Sequence, residues 1–329
     1  MAGKSGRTIS IAKDKSLKKT LLSWEGALMV LFIFVNILCI CISPNYNLKN
    51  VLREMPKYLT EVFLLLPMAW ILILGEMDLS VGAIVCLCAT IACIADNSGV
   101  PFLAVLFLGI LTGLLCGMLN GLVVTSFQEL PPMIVTLATM IIFRGIAEIV
   151  LGSGGSISLK DNGGFRILSG KAGAVPYIFL VVLIFAVIYL FVITKTTAGR
   201  KLYAIGSNRL TSFYSGIPVQ KLRRCVYMLV GGMAGISAMF LVSVLYGANT
   251  TTGNGFEMDA IAMAVFGGIS TAGGRGKMIG ALISAFIIIC LRIGLGQRNI
   301  NPQVILIILG TLLILAVMVP GFMKSRKGA

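Results

Sequence analysis

Long apolar runs, separated by short polar or Gly/Pro segments, recur along the chain from residue 27 to residue 320. A helix needs about 20 apolar residues to cross the ~30 Å hydrocarbon core of a bilayer, and most of these runs approach that length. The runs predict ten candidate spans, at residues 25–43, 58–74, 80–96, 100–125, 132–151, 175–194, 225–247, 258–270, 278–294 and 302–320. The eighth is too short to cross alone, so we expect it to be broken or re-entrant. The predicted fold class is an all-α polytopic membrane protein, with about ten transmembrane helices and broken or re-entrant segments.

Lys and Arg are distributed unevenly between alternate loops, which bears on the orientation of the spans. If every candidate crosses and the N-terminus is cytoplasmic, 18 of the 27 basic residues lie inside and 7 outside, with Arg144 and Arg292 within spans. Cytoplasmic loops are enriched in Lys and Arg, so this count favours an even number of spans with both termini cytoplasmic. The expected organisation is a basic cytoplasmic tail at 1–24, a transmembrane domain at 25–320 and a cytoplasmic tail at 321–329.

The composition agrees with a membrane protein and excludes several other classes. Hydrophobic residues make up 57% of the chain and charged residues only 12%, whereas globular domains carry about 25% charged residues. Histidine is absent, which removes the commonest general base and zinc ligand, so neither an enzyme nor a metal site is expected. The eight cysteines lie in or at the start of apolar runs, where free cysteine packs as a small hydrophobe, and no cofactor is expected. Because membrane topology explains the net charge of +15, nucleic-acid binding is not needed to account for it.

The longest predicted cytoplasmic loop, residues 195–224, contains the signals of a short helix. Asn208 is a suitable N-cap, residues 209–215 are compatible with a helix, and Gly216 ends it. The side chains that such a helix would expose are Leu210, Phe213 and Tyr214. A solvated basic linker is the alternative, but exposed aromatic side chains on a capped helix favour a docking surface for a partner.

Two pairs of acidic residues interrupt the apolar sequence. Glu76 and Asp78 lie between the second and third spans, and Glu257 and Asp259 lie at the start of the eighth. A charged side chain at the bilayer centre costs about 2.5–3.5 kcal/mol on insertion scales. We therefore expect these acids at a helix break, at an interface or against a water-filled path. Asp78 and Asp259 could equally cap the helices that follow them.

Glycine-rich segments predict close packing rather than nucleotide binding. Residues 267–277 imitate a P-loop, but Thr271 and Met278 occupy positions that require Gly and Ser/Thr, so no nucleotide site is expected. We expect irregular backbone there, buried in protein. Arg144 and Glu148, four residues apart in the fifth span, are expected to form an ion pair. Close helix approach is predicted at the glycines of the fourth and seventh spans, Gly113, Gly117, Gly121, Gly231, Gly232 and Gly235.

Four short motifs, taken in order, carry the most specific signal in the sequence. They are DLSVG at 78–82, PPMIVTLAT at 131–139, the loop residues Gly199, Arg200, 204–206, Asn208 and 215–217, and GFEMDAIA at 255–262 followed by Gly267, Gly268, Ser270 and GGRG at 273–276. In this order they resemble the permease subunits of monosaccharide ATP-binding-cassette importers, the ribose, xylose, arabinose, galactoside, rhamnose and autoinducer-2 group. The resemblance covers residues 75–276, most of the chain.

This resemblance implies a pore subunit that has no ATPase of its own. Two permease subunits, identical or different, would pair, cytoplasmic ATPase subunits would dock below them, and an extracytoplasmic sugar-binding protein would deliver the substrate. The residues it places around the translocation path are Asp78, Ser80, Gly82, Glu257 and Asp259. With the predicted surface helix, it gives as ATPase-coupling candidates Asn208, Arg209, Phe213, Tyr214, Ser215 and Gly216.

Three residues depart from the family pattern. Glu76 stands where a small residue is usual, so it is expected to tolerate substitution better than Asp78, and Phe256 and Met258 stand where Tyr and Leu are common. The expected function is import of a monosaccharide or similar small polyol across a bacterial cell membrane, driven by a separate ATPase. The alternative is an ion-coupled secondary carrier with Glu76 and Asp78 as its proton or sodium site. A membrane enzyme comes third, because histidine is absent.

Overall fold

The computed structural model describes residues 23–160 and 163–301, together with 303–308, 310, 311 and 314. The helices of this part are α1 (Trp24–Ile42), α2 (Leu48–Glu54), α3 (Pro56–Ile73), α4 (Val81–Asn97), α5 (Phe102–Ser126), α6 (Pro132–Leu151), α7 (Gly163–Leu168), α8 (Tyr177–Lys195), α9 (Thr197–Ser207), α10 (Arg209–Tyr214), α11 (Val219–Leu245), α12 (Phe256–Phe266) and α13 (Met278–Gln297). Short extended segments are β1 (Ser156–Ser158), β2 (Lys171–Ala172), β3 (Val175–Pro176) and β4 (Gly247–Asn249).

Nine of the ten predicted spans correspond to helices, and the all-α polytopic fold class is confirmed. Seven of the described helices are long and apolar enough to cross a membrane. The predicted eighth span is the 11-residue α12, whose length of about 16 Å is half a bilayer core. Most of the predicted tenth span and nearly all of both predicted tails lie outside the described residues.

The start of α11 differs from the sequence prediction. The helix begins at Val219, six residues before the predicted span. The prediction missed these residues because the first turns of the helix carry Lys and Arg. Hydropathy marks only the apolar part of a helix that extends beyond the hydrocarbon core.

The helices form a buried centre and a lipid-facing periphery. We compared the buried share of an apolar 18-residue stretch in each helix. It is 83% in α3, 78% in α13 and 72% in α11, but only 22–28% in α1, α5, α6 and α8. Apolar residues exposed on the peripheral helices, such as Phe107 and Ile141, are at home in lipid. Polar groups on α3, α4, α11 and α13 therefore lie inside protein and must find partners there.

The two predicted glycine faces meet in the contact between α5 and α11. A Cβ added to Gly113 would overlap the carbonyl oxygen of Gly231, and one added to Gly231 would overlap that of Gly113. A Cβ on Gly117 would likewise overlap the carbonyl oxygen of Tyr227. The predicted close approach is confirmed, and it brings the two backbones into direct contact.

The bundle has two distinguishable ends. We call the end that carries α9 and α10 the basic end, because residues 195–224 hold seven Lys and Arg. The opposite end, called the far end, carries two antiparallel pairs of short strands. In one of them β1 pairs with β4, with Ser156 opposite Asn249, and this ties the loop after α6 to the segment that leads into α12.

Candidate functional site

The break between α3 and α4 starts with a sharp helix stop at the basic end. Gly75 adopts a φ of +77°, where a side chain is disfavoured, and its N–H donates to the carbonyl of Leu72. The N–H of Glu76 donates to the carbonyl of Ile71, which completes a Schellman cap. The chain then runs without helical structure to Ser80 before α4 begins at Val81.

A closed polar cluster fills this break. Asp78 and Ser80 are fully buried, and Oδ1 of Asp78 accepts hydrogen bonds from the N–H (2.9 Å) and hydroxyl (2.6 Å) of Ser80. Nδ2 of Asn120 donates to the Ser80 hydroxyl at 2.7 Å, and the N–H of Leu79 donates to the Thr136 hydroxyl at 3.2 Å. Oδ2 of Asp78 is buried with no hydrogen-bond partner among the described residues.

Neither Asp78 nor Asp259 is the N-cap of the helix that follows it, so the capping alternative is wrong for both. Ser80 is the N-cap residue of α4, and Asp78 binds the N–H of Ser80 rather than that of a first-turn residue. Asp259 lies inside the first turn of α12, whose N-cap is Gly255, and its carboxylate is used by an arginine instead. Asp78 binds Ser80 within a tight turn, and Asp259 binds Arg292 of another helix. These contacts use the carboxylates that capping would require.

The two acidic segments of the sequence come together where α4 and α12 begin. A Cβ added to Gly82 would overlap both Oε2 of Glu257 and the carbonyl oxygen of Gly253. Only glycine allows this approach, so two broken helices start side by side within the protein. Glu257 remains partly exposed, in contrast to Asp78 and Ser80.

Arg144 binds the segment that leads into α12. Its Nη1 donates to the carbonyl oxygens of Thr250 and Thr252, at 2.8 Å each. The predicted ion pair with Glu148 does not form, and Glu148 is exposed on α6. Two carbonyls of an irregular segment compete successfully for the guanidinium, because its planar donors can bind both at once.

A buried ion triad joins α3, α12 and α13. Nη1 of Arg292 donates to both carboxylate oxygens of Glu61, at 3.0 and 2.8 Å, and Nη2 donates to Asp259 at 2.6 Å. The side chains of Arg292 and Glu61 are only 9% and 7% exposed. Asp259 shares no hydrogen bond with the Asp78 cluster among the described residues and binds an arginine of α13 instead.

Three glycine-containing segments converge at the basic end. A Cβ added to Gly206 of α9 would overlap the carbonyl oxygen of Ile73, to which the N–H of Gly274 donates at 2.8 Å. The hydroxyl of Tyr203 donates to the carbonyl of Gly276 at 2.8 Å. The segment at 267–277 is irregular as predicted, although part of it is exposed. It packs α9 against the end of α3.

The predicted surface helix is confirmed as α10. Oδ1 of Asn208 accepts from the N–H of Thr211 at 2.9 Å, and Gly216, with a φ of +77°, ends the helix just after Ser215. The side chains that it presents to the outside are Leu210, Phe213 and Tyr214, which are 66%, 61% and 79% exposed. The rings of Phe213 and Tyr214 meet edge to face, with centroids 5.8 Å apart, and form one apolar patch.

The side chain of Glu76 connects α10 to the membrane bundle. Its Oε1 accepts from Nε of Arg223 at 2.6 Å and from Nη2 of Arg209 at 2.5 Å, while Oε2 accepts from the Tyr227 hydroxyl at 2.9 Å. The Glu76 side chain is 1% exposed and that of Arg209 is 41% exposed. Burial lowers the pKa of Arg209, and the nearby Glu76 carboxylate opposes this decrease. The arginine remains charged.

The partners of these acids carry no local sequence signal. No pattern distinguishes Arg223, Tyr227 or Glu61, and Arg292 stands out only as a charge within a predicted span. The available signal was the cost of an unpaired charge in a membrane, which requires a partner but does not say which residue it is.

Comparison with known proteins gives a consistent result. Residues 58–317 match the family described as branched-chain amino acid transport system / permease component. The chain is 33% identical to the ribose import permease protein RbsC of Bacillus subtilis (strain 168) over 298 residues, 89% of this chain and 91% of the relative. It is 30% identical to the autoinducer 2 import system permease protein LsrD of Escherichia coli (strain K12) over 301 residues, with the same coverage. No solved structure matches the chain.

Proposed function

Because the chain belongs to the branched-chain amino acid transport system / permease component family, we propose that it is the pore subunit of an ATP-binding-cassette importer for a monosaccharide or similar small polyol. It is a multi-pass membrane protein, and its relatives are transporters rather than enzymes, in agreement with the sequence analysis. The distribution of Lys and Arg favours a bacterial cell membrane orientation with the basic end and both termini in the cytoplasm.

The observation that carries this proposal is the exposed apolar patch of α10. Leu210, Phe213 and Tyr214 lie on a capped helix outside every span, in the most basic loop of the chain. Lipid can cover this patch only if the loop helix lies in the membrane–water interface. A cytoplasmic ATPase subunit can cover the patch by docking on it. The coupling residues in this proposal are Asn208, Arg209, Phe213, Tyr214, Ser215 and Gly216.

The path residues receive different tasks in this proposal. Partly exposed Glu257 lines the path where the broken helices begin, and its carboxylate can accept hydrogen bonds from substrate hydroxyls, while buried Gly82 allows the two helix starts to approach each other. Buried Asp78 and Ser80 hold the break in shape, and Asp259 fixes α12 through Arg292. A second permease subunit would close the path from the other side, and an extracytoplasmic binding protein would deliver the sugar at the far end.

Removal of the aromatic patch tests the docking part of the proposal. Buried aromatic residues commonly contribute about 2 kcal/mol or more at an interface, and each ~1.4 kcal/mol is a factor of ten in affinity. We expect the double variant Phe213→Ala/Tyr214→Ala to weaken co-purification of the ATPase from membranes at least about tenfold. The matched control is Phe107→Ala, which removes a 64% exposed aromatic side chain from a lipid-facing helix. Equal ATPase recovery with the double variant and the control would contradict docking at α10.

Uptake into proteoliposomes tests the energy source and the substrate. We expect labelled ribose to enter only when ATP, the ATPase and the binding protein are present, and unlabelled sugars to compete. Leucine should not compete, and competition by leucine would move the substrate to the amino acids in the family description. Uptake by this chain alone under an ion gradient would support the secondary carrier, in which Oδ2 of Asp78, which has no hydrogen-bond partner among the described residues, would be the ion-binding atom.

A further inference from the structure

The carboxylate of Glu76 joins its own segment to two other elements. Arg209 is the first residue of α10, while Arg223 and Tyr227 lie in the first turns of α11. Glu76 itself belongs to the break between α3 and α4. All three donors bind within 2.9 Å, and the carboxylate is buried, so these elements cannot separate without breaking a charge-assisted hydrogen bond.

The position of α10 depends strongly on this contact. The helix has six residues, too few to be stable by itself in water. Its apolar side chains point outward, and only Ser212 of the helix is buried. The Arg209–Glu76 pair is the one ion pair of α10 among the described residues, so it fixes the start of the helix against the bundle.

The main chain of Glu76 is as constrained as its side chain. Its N–H is bound to the carbonyl of Ile71, and the neighbouring Gly75 holds the left-handed conformation of the helix stop. Two residues later Asp78 starts the buried cluster that sets the beginning of α4. A displacement of the Glu76 side chain therefore also displaces the unwound segment, because only one residue separates Glu76 from Asp78 and the main chain there is held by hydrogen bonds.

We propose that Glu76 is a positioning residue that transmits movement of the docking helix α10 to the unwound segment between α3 and α4. This inference rests on the proposed function, since α10 moves only if an ATPase subunit docks on it. It also reverses the expectation from sequence that Glu76 tolerates substitution better than Asp78. The departure from the family pattern at position 76 comes with two arginine partners and a tyrosine partner within this chain.

Two test variants, one control and one conservative variant separate transmission from folding and docking. Glu76→Gln keeps the size of the side chain and removes its charge, and Arg209→Gln breaks only the link to α10 while Arg223 still neutralises Glu76. Arg200→Gln is the matched control, because Arg200 is an exposed arginine on the adjacent helix α9 and forms no ion pair among the described residues. Arg209→Lys is the conservative variant that keeps the charge.

The first measurement uses the full transporter in proteoliposomes. At matched expression, and counted per co-purified ATPase, we expect Glu76→Gln and Arg209→Gln to lose substrate-stimulated ATP hydrolysis and about tenfold or more in uptake. Arg209→Lys should restore part of the stimulation, and Arg200→Gln should leave it unchanged. Normal stimulation and uptake in both Glu76→Gln and Arg209→Gln would overturn the inference.

The second measurement does not require an ATPase and so separates the two proposals. A spin label is attached at Tyr214→Cys, with the two exposed cysteines, Cys41 and Cys225, changed to serine. We expect Arg209→Gln and Glu76→Gln to increase the mobility of the label in nanodiscs, and Arg200→Gln to leave it unchanged. Unchanged mobility in both test variants would overturn the inference even if ATPase docking is confirmed. Increased mobility without any ATPase binding to the wild type would refute the proposed function and, with it, the transmission, and would show only that Glu76 anchors α10.

Discussion

Removal of the Arg292 guanidinium should destabilise the chain far more than removal of an exposed cation. Arg292→Met keeps the long apolar stem of the side chain but leaves the carboxylates of Glu61 and Asp259 without their cation. These two acids lie on α3 and α12, so the change affects three helices of the buried centre.

The expected cost follows from the burial of the two acids. Breaking a buried ion pair by removing one partner costs about 3–5 kcal/mol, because an uncompensated charge remains inside. The Glu61 side chain is only 7% exposed, so water cannot reach its carboxylate freely. The Asp259 side chain is 25% exposed, so water can partly stabilise its charge when the arginine is absent. We expect Arg292→Met to cost about 3 kcal/mol, at the lower end of this range.

Unfolding of the purified chain by SDS in mixed micelles measures this cost. Arg298→Met is the matched control, because Arg298 is an exposed arginine just beyond the end of the same helix. The double variant Arg292→Met/Glu61→Gln removes both the cation and its more deeply buried partner. It should recover about 1–2 kcal/mol relative to Arg292→Met alone, since one stranded charge is neutralised.

Two results would refute this reasoning. If Arg292→Met unfolds within about 0.5 kcal/mol of wild type, the triad does not stabilise the helices. If adding Glu61→Gln to Arg292→Met lowers stability by as much as Glu61→Gln lowers that of the wild type, stranded charge is not the cause of the loss.

Two further predictions concern the helix contact and the break. Gly117→Ala should destabilise the chain by about 1–3 kcal/mol in the same unfolding measurement, because its Cβ would overlap the backbone of Tyr227, while Gly145→Ala, with open space around it, should not. Equal stability of these two variants would mean that α5 and α11 separate at no cost. Asp78→Asn should keep most of the uptake, because an amide oxygen can still accept from Ser80, whereas Asp78→Leu strands buried donors at about 1–3 kcal/mol and should abolish uptake at matched expression. Uptake by Asp78→Leu at the wild-type rate would exclude a role for this break in transport.

The sequence was sufficient for the helices but not for the charge partners. Apolar runs report the solvent around a helix, so α1, α3, α5, α6, α8 and α13 appear within a few residues of their predicted bounds. The cap at Asn208 and the stop at Gly216 are local, and α10 was predicted from them. The pairs Glu76–Arg223 and Glu61–Arg292 are separated by 147 and 231 residues, and no local rule selects such partners.

Arg144 illustrates the same limitation from the opposite direction. A partner four residues away was available on the same helix, and helical spacing favoured it. The guanidinium instead binds two carbonyls more than 100 residues away, because the irregular segment before α12 has backbone acceptors that lie outside any helix or strand. Sequence spacing cannot anticipate a demand that arises only when a distant segment is unwound.

The direct backbone contact between α5 and α11 has a mechanical consequence. With its 27 residues α11 is about 40 Å long, which exceeds the ~30 Å of hydrocarbon. One end holds Glu76 through Arg223, and the other continues into β4 and the chain that reaches Gly253 beside Gly82. No layer of side chains lies between the two helices at their glycines, so there is nothing there to compress or shear. We therefore expect α5 and α11 to stay together as one stiff unit when other helices of the bundle move.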